Sequence, residues 1–369
     1  MIQAVSGQAG FDVDQQRLFA PRALHEADWR TGTLTVIVPA YNEADHIADT
    51  VRSLQEQTRP PDVIIVVDDF SDDGTGDIAA ALGATVLRPP ANTGSKAGAQ
   101  NFALEHVWTA FVMILDADTT LDPKAIEMTL PAFEDPAVAA ACGYVLPRHV
   151  HTMWERGRYV EYLFAFSFPK QVQDFYGRPL ISSGCFSVYR CGPLRQAGGW
   201  GQRTMAEDMD LTWTLYELGH RVRFIPESVS YPVEPRDLDF MRKQLTRWSH
   251  AFIQNLQVHW RGIVRMPYLF SAVAVALSDA VLASLVFLVA LPLLAVLVSP
   301  LFLLGYVIDA PVIAVPVLLA AWRRGEFFLA LSSLPAFFVL RLVNGYLLLK
   351  ALLLEIVLRK PLTTYEKGH

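Results

Sequence analysis

Residues 244–248 read Gln-Leu-Thr-Arg-Trp. On a helix, Gln244, Arg247 and Trp248 stand at i, i+3 and i+4 and share one face. An amide, a fixed cation and a flat indole side by side can hold an anionic leaving group against a sugar ring. Upstream stand three acidic clusters, Glu207-Asp208, Asp116-Ala117-Asp118 and Asp68-Asp69. A carboxylate of the first can take the proton from an attacking hydroxyl. Asp116 and Asp118, alternate residues at a strand end, project to one side and offer hard oxygens to Mg2+ or Mn2+. Such a cation neutralises charge that builds on a departing diphosphate. Asp68 or Asp69 can accept an N–H from a nucleobase such as uracil, with Tyr41 and Glu43 flanking it. Lys96, in Gly94-Ser95-Lys96-Ala97-Gly98, can reach a phosphate.

Each signal has a plain alternative. Asp-x-Asp also occurs in solvated turns. Acids in a first helical turn are favoured by the helix dipole. Ser71 or Asp72 can cap a helix after Asp69. Tyr41 can be a packing residue and Lys96 a surface lysine. Trp248 and Arg247 can anchor an interfacial helix, as Trp260 and Arg261 do. Those alternatives leave the ordered set as coincidence. His149 and His151 have no ligating partners at metal spacing and read as loop residues.

The elements that must carry these groups alternate in type. Short β-rich runs fall at 34–39, 63–67, 84–87 and 111–115, separated by helical stretches to 57, 75–82 and 96–107. That alternation predicts an α/β domain over 33–235 with a mainly parallel sheet and helices on both faces. Asp68, Asp69, Asp116 and Asp118 then lie at carboxyl ends of strands, where such sheets bind ligands. A further strand is expected over Leu180–Tyr189, carrying Gly184 and Cys185. A helix is expected over 208–218, and a strand over 222–225 that stops at Pro226. Residues 150–203 otherwise give little pattern. Residues 236–265 read as an amphipathic helix in a membrane interface. Met241, Leu245, Trp248, Phe252, Leu256 and Trp260 line its apolar face, with His250 and Gln254 opposite.

Composition separates two halves. The 369 residues are 52% hydrophobic, and residues 269–322 hold only Asp279 and Asp309 as charges. Apolar blocks at 269–298, 301–322 and 327–357 predict about three spans within 266–358, with a tail at 359–369. Arg341 and Pro335 mark a break inside the third. The net charge of −6 and the absence of a basic, aromatic-laced stripe argue against nucleic acid. Three cysteines at unrelated spacings suit reduced thiols. Residues 1–32 read as a loose arm too polar for a leader or a span, which predicts a catalytic domain on the cytosolic side of the cytoplasmic membrane.

These residues, in this order, resemble family 2 glycosyltransferases of the membrane-integrated, processive type. Cellulose, chitin-oligosaccharide, hyaluronan and poly-N-acetylglucosamine synthases belong there. The resemblance covers roughly 33–260. It implies a GT-A fold, a UDP-sugar donor, a divalent cation and inversion by one displacement. Carried over by position, Pro39, Tyr41, Glu43, Asp68 and Asp69 would hold the uridine. Lys96 would stand near the nucleotide, and Asp116 and Asp118 would bind nucleotide and metal. Gly184 and Cys185 would face the acceptor. Asp208, beside Glu207, matches the base of a Thr-Glu-Asp motif. Gln244 and Arg247 would contact the pyrophosphate, and Trp248 would stack on the acceptor sugar.

The chain departs from that pattern in two ways. Ala206 replaces the motif's threonine, and the N-terminal spans of many polymer synthases are not evident. Three spans are thin for a polymer channel, which brings in a second expectation: one sugar added to a lipid acceptor such as ceramide, diacylglycerol or a polyprenyl carrier. The expected partners are therefore a UDP-sugar, a glycan or lipid acceptor and the bilayer, with a homo-oligomer compatible.

Overall fold

The structure is a computed structural model, and it describes residues 28–363, apart from the Asp279 side chain. The expected N-terminal arm up to residue 27, and the tail from residue 364, lie outside the described residues.

Strands β1 (Leu34–Ala40), β2 (Val63–Asp68), β3 (Thr85–Leu87), β4 (Phe111–Leu115), β5 (Thr120–Leu121), β6 (Val138–Val145), β7 (Phe186–Arg190) and β8 (Arg221–Tyr231) form one sheet. Its order is β3-β2-β1-β4-β7-β6-β8-β5. The β3, β2, β1 and β4 strands pair in parallel, β7 runs antiparallel between β4 and β6, and β6 and β8 are again parallel. The sheet is thus mainly parallel but mixed. Its central strands are near-continuous apolar runs, because both faces are covered.

Helices α1 (Ile47–Gln55), α2 (Thr75–Ala81), α3 (Lys96–Leu104) and α4 (Ala125–Thr129) belong to the domain's first half. Two core clusters separate across the sheet. One contains Val36, Val38, Val51 and Met113, and the other Ile37, Val67, Val112 and Trp213. The alternation of β1 residues between them is the period-2 pleat read out in packing.

Two strand boundaries differ from the sequence expectation. β7 begins at Phe186, not near residue 180, because Ser182–Cys185 spend their backbone groups elsewhere. The Ser182 N–H goes to Thr212 Oγ1, the Gly184 N–H to Asp208, and the Cys185 carbonyl accepts from the Asp116 N–H. β8 does not stop at Pro226. The register against β6 jumps from Gly143↔Ile225 to Tyr144↔Val229, so the proline sits in an irregularity where no ladder N–H is required.

The stretch that gave little pattern forms α5 (Met153–Ser167), α6 (Pro169–Phe175) and α7 (Cys191–Gln196). α5 opens on a full capping box of Thr152 and Glu155. It buries Glu155 and Arg158, and its Tyr159, Val160 and Leu163 share a core with apolar helices near the C-terminus. Charged residues on a buried face defeat periodicity as a signal.

α8 (Glu207–Glu217) and α9 (Leu238–Arg265) follow. Asp237 caps α9 by accepting from the Phe240 N–H at 2.9 Å. The helix is packed on more than one side. His250, placed on its polar face by the sequence pattern, is buried, while Trp260 is exposed. Three further helices are long and apolar enough to cross a membrane: α10 (Pro267–Leu297), α11 (Pro300–Arg323) and α12 (Phe327–Val357). α12 is continuous through Pro335 and Arg341, so no break divides the third apolar block.

Candidate active site

β1, β2 and β4 end side by side, and the acidic clusters leave from those ends. Asp68 is the last residue of β2 and is buried. Its Oδ1 accepts from the Ser71 N–H at 3.0 Å and its Oδ2 from Arg88 Nε at 2.9 Å. Asp69 accepts from the Thr93 N–H and from Thr93 Oγ1, each at 2.8 Å. It therefore pins the loop that leads into α3. Ser95 caps that helix through the Gly98 N–H at 3.1 Å, which fixes Lys96 as its first residue.

Lys96 is the hub. Its ammonium contacts Asp116, donates to the Gly184 carbonyl at 3.0 Å and stands 3.7 Å from Glu207. Burial alone would lower its pKa, but Asp116, Glu207 and Asp208 outweigh burial and hold the proton more tightly than usual. Five residues singled out in the sequence, Lys96, Asp116, Gly184, Glu207 and Asp208, thus form one cluster drawn from three elements and a loop.

Asp208 lies in the first turn of α8. Its Oδ2 accepts from the Gly184 N–H and its Oδ1 from the Met209 N–H, both at 2.8 Å. Burial, then Glu207, pushes its pKa up to about 6, while Lys96 and the two N–H groups pull the other way. A carboxylate poised there is a base at neutral pH that can still carry a proton. Ala206, the position of the missing threonine, gives α8 no side-chain cap. Asp208 itself takes up the Met209 N–H.

Asp118 is pushed up to about 8 by burial, then by Asp116 and Glu43. Carboxylates held this close are short of positive charge, and their hard oxygens fit Mg2+ or Mn2+. Among the described residues no group of three or more His, Cys, Asp or Glu is arranged to hold a metal by itself. Such a cation would take part of its coordination from a bound diphosphate.

Pro39 lies in β1 opposite Val67. Tyr41, just past the end of β1, is exposed. The sequence reading missed Phe70, which extends from the end of β2 with φ +71° and is also exposed. A non-glycine residue at positive φ is the signal that would have found it, and only the structure carries that signal.

The Gln244 motif lies near the start of α9. Gln244 keeps its amide oxygen buried and without a hydrogen-bond partner. Arg247 follows one turn later on the same helix. The Trp248 ring faces the Arg158 guanidinium, whose Cζ is 4.4 Å from the ring centroid. Arg158 is sandwiched against Tyr162 and paired with buried Glu234 at 3.1 Å. Neither Arg158 nor Glu234 carries a sequence signal. Cys185 is half-buried, and burial, then Asp116, holds its thiol protonated. The side chain of Asp279 lies outside the described residues.

Comparison with known proteins gives the chain a family and a fold. Poly-beta-1,6-N-acetyl-D-glucosamine synthase of Staphylococcus aureus (strain MSSA476) is 26% identical over 222 residues, which is 59% of this chain and 54% of that protein. The protein of the same name from Staphylococcus epidermidis is 25% identical over 223 residues, with the same coverage. The chain thus spans about half the length of the curated relatives it matches. Among solved structures, the mannosyltransferase PcManGT from Pyrobaculum calidifontis, in complex with GDP-Man and Mn2+, is similar with a TM-score of 0.60. It is 21% identical and covers 86% of this chain and 87% of that one. That likeness fixes the fold as GT-A. A family model described as glycosyltransferase like family 2 matches residues 31–251, more than half of the chain, and the chain belongs to that glycosyltransferase family.

Proposed function

We propose that this glycosyltransferase moves a sugar from a UDP-sugar onto a growing β-linked glycan at the cytosolic face of a membrane, with inversion at the anomeric carbon. The observation that carries the reading is Asp208, held by two backbone N–H groups beside Lys96, with its pKa raised to about 6. In one displacement the acceptor hydroxyl gives its proton to Asp208, its oxygen bonds to the anomeric carbon, and the bond from that carbon to the diphosphate oxygen breaks. Glu207, 3.7 Å from the Lys96 ammonium, helps hold that cation in the cluster. Lys96, Arg247 and the Gln244 amide are the groups for the diphosphate, and Tyr41, Glu43, Asp68 and Asp69 for the uridine. Trp248 and the Gly184–Cys185 turn face the acceptor. Asp116 and Asp118 would hold Mg2+ or Mn2+, which when bound neutralises the leaving diphosphate.

A second reading, one sugar placed on a membrane lipid, is favoured by the apolar helices. Many of their large apolar side chains, among them Val296, Ile308, Val312 and Phe328, are exposed and leave apolar surface that suits a lipid acceptor. Incubating the purified protein in lipid with radiolabelled UDP-sugars and Mn2+, then sizing the product, separates the two. A ladder or high-mass polymer supports glycan extension, and a single lipid-extractable species supports the lipid reading. Absence of transfer from every UDP-sugar overturns both. A chelator is expected to stop transfer and added Mn2+ or Mg2+ to restore it; full turnover in chelator would remove Asp116 and Asp118 as metal ligands.

A further inference from the structure

The second half of α9 carries polar residues that the reaction does not use, and they converge on the segment that bears Asp208. The Gln254 amide oxygen accepts from the Met205 N–H at 3.0 Å. Asn255 Nδ2 donates to Thr204 Oγ1 at 3.2 Å and to the Ala206 carbonyl at 3.4 Å. One turn on, His259 Nε2 is 2.6 Å from Asp210 Oδ1 and its Nδ1 is 2.9 Å from Glu217 Oε1. Both of its ring nitrogens face carboxylate oxygens, so the ring is held between Asp210 and Glu217. His259 and Asp210 are buried, and the Trp213 ring stands edge-on to the imidazole. Asp210 is also met by Arg203, which donates at 2.7 Å.

The fit is close. A Cβ on Gly262 of α9 would come within 2.2 Å of Glu217 Oε1, so α8 and α9 approach at a residue that has no side chain to part them. The same edge reaches toward the membrane helices. Gln254 Nε2 donates to Glu355 Oε1 at 2.8 Å, and His250 Nδ1 contacts the same oxygen at 2.7 Å. Glu355 lies at the end of α12. One glutamine amide therefore joins the loop before the base to the last turn of the third apolar helix.

We propose that Gln254 and His259 are positioning residues: α9 holds the 203–217 segment through them, so that Asp208 stands at the height where it meets the acceptor hydroxyl. This rests on the reading of Asp208 as the base. Asp208 is only two residues from Asp210 on α8, so a shift of the His259–Asp210 contact moves the base and changes its distance from Lys96. Donor contacts at the ends of β1, β2 and β4 belong to other elements, and Gln244 and Arg247 lie in an earlier stretch of α9, before Gln254 and His259, so UDP binding is expected to hold.

The test uses the full chain in lipid with His259→Gln and the milder Gln254→Ala, which keeps a folded variant available. The expected result is a kcat lower by about tenfold, of the order of one lost hydrogen bond to a charged group, with UDP affinity within about twofold of the parent. The acidic limb of the kcat–pH profile should also move, because Asp208 would meet Glu207 and Lys96 at new distances; a merely structural role does not move it. Unchanged kcat and an unchanged limb in both variants would overturn the positioning role. So would a loss of UDP affinity in parallel with kcat. Asp208→Asn run alongside separates the two ideas. If it turns over normally, the base assignment fails. If it is inactive while both α9 variants behave as the parent, only the positioning role fails.

Discussion

Burial and the neighbouring Glu207 raise the pKa of Asp208, and that pKa sets the sign of one prediction. A carboxyl raised to about 6 is protonated below that pH and loses its capacity as a base. kcat should therefore fall as pH drops through about 6, and a pH-rate profile flat down to pH 4 would exclude Asp208 as the base. Asp208→Asn keeps the shape, but its amide oxygen can accept from only one of the two N–H partners and cannot take the proton. Turnover is expected to fall by about 10²–10⁴-fold, with UDP binding retained in a direct titration. Asp68 and Asp69 show a different logic at the same scale. Their oxygens are engaged by Ser71, Arg88 and Thr93, so they shape the loops after β2 and before α3, and the proposed uridine contact would share those oxygens.

The loop from Ser182 to Cys185 and helices α8 and α9 form the next level. Gly184 uses both backbone groups, N–H to Asp208 and carbonyl to Lys96. A Cβ there would fall 2.7 Å from Asp208 Oδ2, so Gly184→Ala must displace the base or the loop. A lost hydrogen bond to a charged group costs ~1.5–3 kcal/mol, so kcat should drop by about ten- to a hundredfold while UDP affinity holds. Equal kcat for the alanine variant would show that the loop can yield. Much of this level was legible in the sequence. The β1–β4 alternation, the strand-end carboxylates, α8 and the extent of α9 follow from period, caps and turn residues. The Gly184 loop was not, since Leu180–Tyr189 reads as one β run and its first half is diverted only by tertiary partners. α5 was hidden because its buried face carries two charged residues, Glu155, held by the His151 and Thr152 N–H groups at its own start, and Arg158, held by Glu234 far along the chain. The convergence of α9 on residues 203–217 was hidden for the same reason: Gln254 and His259 look like a solvated face until Met205, Asp210 and Glu217 are placed against them.

At the scale of the whole molecule, the catalytic domain is tied to the apolar helices through α5 and α9, and one cation, Arg341, touches groups from all three apolar helices. Arg341 of α12 donates to both carboxylate oxygens of Asp309 in α11, at 3.0 Å to Oδ1, and its guanidinium lies 3.9 Å from the Phe287 ring of α10. Phe287 is in turn held by the Tyr306 hydroxyl, which donates to its carbonyl at 2.7 Å. Ion pairs in apolar surroundings cost desolvation, so the pair need not stabilise much against an apolar replacement. Removing one partner is different, because the other is left charged with nothing to face. Arg341→Met or Asp309→Leu alone is therefore expected to destabilise by about 3 kcal/mol, read as a lower Tm in detergent. The double variant Arg341→Met with Asp309→Leu should recover most of that loss. Additive losses in the double variant would mean that the two side chains act independently and that Arg341 does not join the three helices.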